Sequence, residues 1–304
     1  MKQPTFFIAG APRCGTTALY HYLNQHPQIF MSEVKELNYF AHDFPHVQKI
    51  SFKSKEDYLN VFSKANSTHL AIGEASPFYL YSKVAFSNMH SFDPNARIIL
   101  SLRNPIDFVQ SFHQLNLSLL REDQKDLRKA WALQKQRLSG NKIPKSCRQP
   151  ELIQYGELGL FGKYVEKLLE IFPRNQVLII IFEDFRKDPQ TIYEEILKFI
   201  DVTSDGRKEF PPVNVSFENR SKLMATVFHP PQFVYKPFMK FISLFGLDFM
   251  KSFSVFYNRI EKLNVTQAKK ISLDPEFRQE LQDFYQQDIE KLADIVDRDL
   301  SEWR

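Results

Sequence analysis

Residues 6–26 read FFIAG, APRCGTT, ALYHYLNQH: an apolar run from Phe6 to Gly10, a turn from Ala11 to Thr17, and a stretch of helical character from Ala18 to His26. A strand, a glycine-containing turn and a helix start in that order make a site for an anion. Successive turn N–H groups and the unpaired amides of the first helical turn point outward, and the helix dipole favours negative charge there. The window from Gly10 to Thr17 differs at one place from the nucleoside-triphosphate loop G-x-x-x-x-G-K-[ST], because Thr16 stands where that loop carries its lysine. ATP or GTP hydrolysis is therefore a poor fit. Arg13 brings a cation into the turn instead, able to fork across two oxygens of a phosphate or sulfonate, while Thr16 and Thr17 add hydroxyls and amides. The bland alternative is a tight turn with a surface arginine.

A second constellation lies downstream in ARIILSLRNPIDFVQSFHQ. An apolar strand pattern (Ile98 to Leu102) is followed by Arg103-Asn104-Pro105 and a helical stretch, with Asn104 suited to cap the helix and Pro105 to its first turn. Ser111 falls about two turns after Arg103, so both side chains can bracket one anion. A solvated strand end and a plain helix-surface serine are the alternative.

Together these segments resemble the sulfotransferases that use 3′-phosphoadenosine 5′-phosphosulfate (PAPS) as donor. APRCGTTALYHYLNQHP is similar to the family's 5′-phosphosulfate loop and RNPIDFVQS to its 3′-phosphate element. The resemblance continues in KELNYF, GEASPFYLYS, IFEDFRKDP and DLSEW, and so spans most of the chain. The closest flavour is the bacterial branch similar to heparan sulfate sulfotransferase domains. It implies an α/β fold, a P-loop-like parallel sheet flanked by helices, with PAPS as donor, PAP (3′-phosphoadenosine 5′-phosphate) as product and no metal. By the same resemblance, Arg13, Cys14, Gly15, Thr16 and Thr17 surround the 5′ end of the donor, Arg103 and Ser111 hold the 3′-phosphate, and Arg220 in SFENRSK completes that site from a late loop. Glu36, in the E-x-x-[FY]-F stretch Glu36 to Phe40, corresponds to the general base. Many relatives have lysine where Arg13 stands, so Arg13 is expected to stabilise charge without transferring a proton.

The chemistry asks for alignment, positive charge on the leaving phosphate, and removal of the acceptor's proton. Burial among Leu37, Tyr39 and Phe40 would lift the pKa of Glu36 toward the working pH; the alternative is a surface ion pair with Lys35 or Arg13. His42 and His113 are second choices as base, and Lys35 leans toward the sulfonate or phosphate. No His, Asp or Glu stands beside Cys14 in sequence to make it a nucleophile, so its side chain reads as packing. Ser76 and Pro77, at a strand end, are expected along the acceptor cleft.

With 304 residues and no compositional linker, the chain reads as one domain over 1–304, its helical C-terminal part (228–304) packing on or over the sheet. Apolar runs alternate with helical patterns, as a parallel sheet requires: a helix in KEDYLNVFSKA, strand and turn in HLAIGEAS, a helix in SKVAFSNMHSF, a polar helical stretch Gln124 to Leu138, a helix Gly162 to Phe172, a buried strand in QVLIIIF and a helix in PQTIYEEILKFI. Asp184 to Pro189 reads as a capped connection with structural charges. A net charge of +4 suits an anionic cofactor and falls short of the basic stripe of a nucleic-acid binder. The two cysteines and the absence of any run of about twenty apolar residues point to a cytoplasmic protein without an integral membrane segment. Segment 228–257, rich in Phe and Tyr, suits core helices, a lid, or an apolar surface for acceptor or peripheral membrane contact. The expected activity is sulfuryl transfer to a hydroxyl or amine of a carbohydrate, lipid or small metabolite. The alternatives are a P-loop nucleotide kinase and a non-catalytic nucleotide-binding protein of the same fold.

Overall fold

The structure is a computed structural model and describes residues 2–48, 52–213, 217–219, 265–267 and 272–303. The chain forms two compact units, one from Met1–Phe108, Leu160–Asn214 and Gln282–Arg304, the other from Val109–Gly159 and Val215–Leu281.

The first unit is built on five parallel strands, β1 (Phe6–Gly10), β2 (Ile29–Met31), β3 (Ala71–Ala75), β4 (Arg97–Leu102) and β5 (Val177–Ile181), in the order β2-β3-β1-β4-β5. Every residue of β1 is buried, because a central parallel strand is covered on both faces. Side chains alternate across it. Phe6 and Ile8 join a cluster with Leu19 and Leu23 of helix α1 (Thr16–Asn24) and with residues further along the chain, including Ile192 and Ile196. Phe7 faces the other way, its ring 5.6 Å from that of Phe40. The helices α2 (Lys55–Asn60), α3 (Ala85–Phe92) and α4 (Pro105–Ser118) follow, and the division between units falls inside α4. β2 is three residues long, too short for its pattern to stand out in sequence. The expected buried strand QVLIIIF is β5, but Leu178 and Ile179 are only half-buried, as befits the sheet's edge.

In the second unit the polar stretch Gln124 to Leu138 resolves into α5 (Leu127–Ala132) and α6 (Gln134–Leu138), with Asp126 capping α5 by accepting the N–H of Arg128 and Lys129. Arg137 of α6 is fully buried and makes a two-pronged pair with Glu122, 2.6 and 2.7 Å, to which Tyr155 of α7 (Tyr155–Leu158) adds a hydroxyl at 2.9 Å. Two three-residue strands, β6 (Phe217–Asn219) and β7 (Val265–Gln267), pair antiparallel.

Back in the first unit, α8 (Phe161–Leu169), α9 (Phe182–Lys187) and α10 (Pro189–Phe199) flank β5 in the chain. The expected capped connection Asp184 to Pro189 is instead helical through Lys187: Asp184 lies inside α9 and pairs with Arg298, while Asp188 caps α10 by accepting the N–H of Thr191. Helix α11 (Pro275–Val296), which starts in the second unit and enters the first at Gln282, carries buried residues at Phe277, Leu281, Tyr285, Ile289 and Leu292. Its Asp288 accepts the N–H groups of Gly162 and Lys163 at 2.7 and 2.8 Å, sealing the start of α8. Segment 228–257 and Arg220 lie outside the described residues.

Candidate active site

The turn after β1 is shaped by two residues in the left-handed region, Arg13 (φ 66°) and Gly15 (φ 81°). At Gly15 a side chain is also excluded by space: a Cβ would stand 2.9 Å from the ring of Phe182. Gly15 caps α1 without a side-chain hydrogen bond, so the cap leaves the amides of the first helical turn to another acceptor. The turn is stapled to the neighbouring strand, with the Ala11 N–H donating to the Ser101 carbonyl at 2.7 Å and Ser101 Oγ donating to the Cys14 carbonyl at 2.5 Å. Cys14 itself is buried. Its N–H is bound to the Ala11 carbonyl and its thiol donates to the Pro12 carbonyl at 3.6 Å. Burial pushes that thiol far above its usual range, which leaves it without nucleophilic character at neutral pH.

Arg103 follows β4, which pairs directly with β1. Its guanidinium lies 5.2 Å over the ring of Phe182 and bonds Asp107 at 3.3 Å, while its buried Nε has no hydrogen-bond partner among the described residues. Asn104 caps α4 as expected, its Oδ1 accepting the N–H of Ile106 at 2.9 Å, and its own N–H donates to Glu183 at 3.2 Å. Burial, and then the nearby Arg103 charge, hold the Arg13 guanidinium below its ordinary value. Two cations thus share one electrostatic neighbourhood at the ends of two adjacent strands. Ser111 lies on α4 in the second unit, two turns along the helix that starts after Arg103.

The loop after β2 brings a third element to the turn. Lys35 Nζ donates to Thr17 Oγ1 at 2.7 Å and stands 3.7 Å from Glu36, whose side chain is 29% exposed. Glu36 and Asn38 both have positive φ, 65° and 49°, an uncommon backbone for residues other than glycine. The Glu36 N–H is anchored on the Ala75 carbonyl at the end of β3, at 2.8 Å. Thr17, Lys35 and Glu36 therefore meet, on the helix start that follows the turn of Arg13 and Gly15, and Arg13 is near enough to Arg103 to feel its charge.

Other expectations fall differently. Ser76 and Pro77 are buried, and Ser76 is occupied by Glu74 and by the N–H of Asn38, so neither lines an open cleft. His113 is buried in the second unit with its ring nitrogen on the Gln124 carbonyl at 2.8 Å, a structural place, and burial lowers its pKa. Glu183 and Phe182 were not singled out from sequence. Burial pushes the Glu183 carboxyl up, and one of its oxygens is buried without a partner among the described residues. The one signal was position, an acid and an aromatic at the end of a strand.

The arrangement has relatives. Residues 3–230 match the family described as "Sulfotransferase domain". The bifunctional heparan sulfate N-deacetylase/N-sulfotransferase 4 of Mus musculus is 30% identical over 209 residues, which cover 66% of this chain and 22% of that protein. Carbohydrate sulfotransferase 15 of Homo sapiens is 24% identical over 258 residues, 68% of this chain and 45% of that one. The chain therefore spans less than half the length of these two curated relatives. A crystal structure of a sulfotransferase from Alicyclobacillus acidocaldarius superposes over 100% of both chains with a TM-score of 0.73 at 25% identity. Among the described residues no helix is long and apolar enough to cross a membrane. On the match over three quarters of its length and on a fold shared end to end with a solved sulfotransferase, this chain belongs to the sulfotransferase family.

Proposed function

We propose that the protein transfers a sulfuryl group from PAPS to a hydroxyl or amine of an acceptor, a glycan being the favoured class because relatives named for heparan sulfate and carbohydrate lie nearby. The observation that carries the reading is the pair of cations at adjacent strand ends, Arg13 and Arg103, the first held below its ordinary value by burial and, second, by the charge of the other. Like charges held together in a partly buried crevice are stabilised by an anion between them.

Arg13, Gly15, Thr16 and Thr17 would hold the 5′-phosphosulfate, with Cys14 shaping the turn from inside. Arg103 and Ser111 would hold the 3′-phosphate, with Arg220 as a further ligand. PAPS supplies the activated sulfuryl group, and the chain supplies geometry and charge. Arg13 and Lys35 offset the charge that grows on the leaving phosphate; arginine does so without giving up a proton. Glu36 takes the acceptor's proton as sulfur–oxygen bonding develops in line with the departing phosphate. Two free cysteines fit a reducing compartment, and we place the protein in the cytoplasm.

The test is turnover of labelled PAPS against pools of sugar, lipid and phenol acceptors, with Glu36→Gln beside the wild type. The expected outcome is sulfation of a glycan pool, reduced about a hundredfold or more in the variant, with PAP affinity nearly intact. Unchanged turnover in the variant assigns the proton to another group. Tight PAP binding with no turnover against any pool makes the protein a nucleotide-binding module.

A further inference from the structure

Beneath the loop that carries Glu36 lies a carboxylate with no role in the scheme above. Glu74, on β3, is completely buried and has no cation within ion-pairing distance among the described residues. It accepts three hydroxyls: Tyr58 at 2.5 Å, Ser76 at 2.6 Å and Tyr79 at 2.7 Å. A buried carboxyl without a cation is costly unless its lone pairs are filled, and burial raises its pKa while the three hydroxyls oppose the rise.

Each of these three residues also reaches the loop that carries Glu36, two through the hydroxyl and Tyr58 through its ring. A hydroxyl has one proton to give; spending it on Glu74 leaves its oxygen free to accept. Ser76 Oγ accepts the N–H of Asn38 at 3.0 Å, and Tyr79 Oη accepts the N–H of Phe40 at 3.5 Å. Tyr58 stacks flat on Tyr39, with ring centroids 4.0 Å apart and planes 6° from parallel. Asn38 passes the constraint back, its side-chain amide donating to the Glu36 carbonyl at 3.0 Å. Residues 38, 39 and 40 are thereby gripped one after another, and the left-handed backbone of Glu36 and Asn38 is held against its own preference.

We propose that Glu74 is a positioning residue for the sulfuryl-transfer site: its carboxylate orients the hydroxyls of Ser76 and Tyr79 so that they accept from the loop amides and fix the direction of the Glu36 side chain. The inference rests on the reading of Glu36 as general base. It asks nothing of the turn after β1 or of Arg103, which lie on other loops; of the groups assigned to the donor, Lys35 alone shares the loop of Glu36. A neutral amide in place of the carboxylate presents a donor where an acceptor stood, so a hydroxyl facing its NH2 loses the acceptor that oriented its proton, and the Ser76 and Tyr79 loop contacts are no longer held by a fully accepting partner.

The test compares Glu74→Gln, Ser76→Ala, Glu36→Gln and the double variant Glu36→Gln/Ser76→Ala. Glu74→Gln and Ser76→Ala are expected to lower kcat tenfold or more, with KM for PAPS and Kd for PAP within twofold of wild type. Amide exchange in the peptide spanning residues 36–40 should quicken by a similar factor. The double variant should be no slower than Glu36→Gln alone, because a misaligned base and an absent one are the same loss. Were Glu74→Gln not to fold, Ser76→Ala carries the comparison. Turnover within twofold of wild type in Ser76→Ala, a further loss in the double variant, or parallel weakening of PAP would each overturn the inference. Loss in Glu36→Gln without loss in Ser76→Ala removes the positioning role alone; full turnover in Glu36→Gln removes the base reading and this inference with it.

Discussion

The two strand ends proposed to face the donor's phosphates are built by different means. After β1 the binding surface is backbone, with two left-handed residues, a helix start without a side-chain cap and a glycine pressed against Phe182. After β4 the backbone is an ordinary capped helix start, and the proposed binding group is one side chain, Arg103, lodged between Asp107 and the Phe182 ring. A backbone site recognises any tetrahedral anion that fits, whereas a lone guanidinium depends on an anion at one particular place. The first should therefore set affinity for phosphate in general, and the second the preference for a nucleotide with a 3′-phosphate.

Substitutions can break that division in order of size. Arg103→Ala is expected to weaken PAP binding by about 1.5–3 kcal/mol, the scale of a charge-assisted hydrogen bond, and to leave AMP binding unchanged; calorimetric titration with both nucleotides reads it. Gly15→Ala should cost about 1–2 kcal/mol through left-handed strain and displacement of Phe182, and should weaken PAP and AMP alike. A selective effect on PAP would mean that the two ends are not separable. Arg13→Lys keeps the cation and loses the fork, so PAPS turnover should stay within about tenfold of wild type.

The second unit offers the contrast of a charge that serves structure. Burial would raise the Glu122 carboxyl, but the bonds and charge of Arg137, the N–H of Gln124 and the Tyr155 hydroxyl together outweigh it and hold the folded pKa below the usual carboxylate value. Its stabilisation is complete above the unfolded pKa, about 4.3, and is lost as pH falls through the lower folded value. Thermal midpoints measured down through pH 4 should fall more steeply in wild type than in Glu122→Gln, while PAP affinity at neutral pH is the same in both. A changed PAP affinity would tie Glu122 to the site.

How much of this was legible follows from how each part is made. The β1 turn was readable because a backbone anion site needs glycine and small residues at fixed spacing, and Gly10 to Thr17 has them. Arg103, Asn104 and Pro105 were readable because capping chemistry is local. The parallel sheet could be seen in the alternation of apolar runs and helices, save β2, whose three residues leave no period to detect. Glu74 was not legible: a carboxylate in an apolar strand gives no hint of the Tyr58, Ser76 and Tyr79 hydroxyls that converge on it only in the fold. The same holds for Phe182 and Glu183, whose partners Gly15 and Asn104 come from the turns after β1 and β4.

The most direct measurement is calorimetric titration of the wild-type protein with PAP and with AMP under one buffer and salt. The account predicts that PAP binds at least about tenfold more tightly, the margin of one charge-assisted contact. Equal affinities would contradict the claim that Arg13 and Arg103 grip the two ends of a single nucleotide.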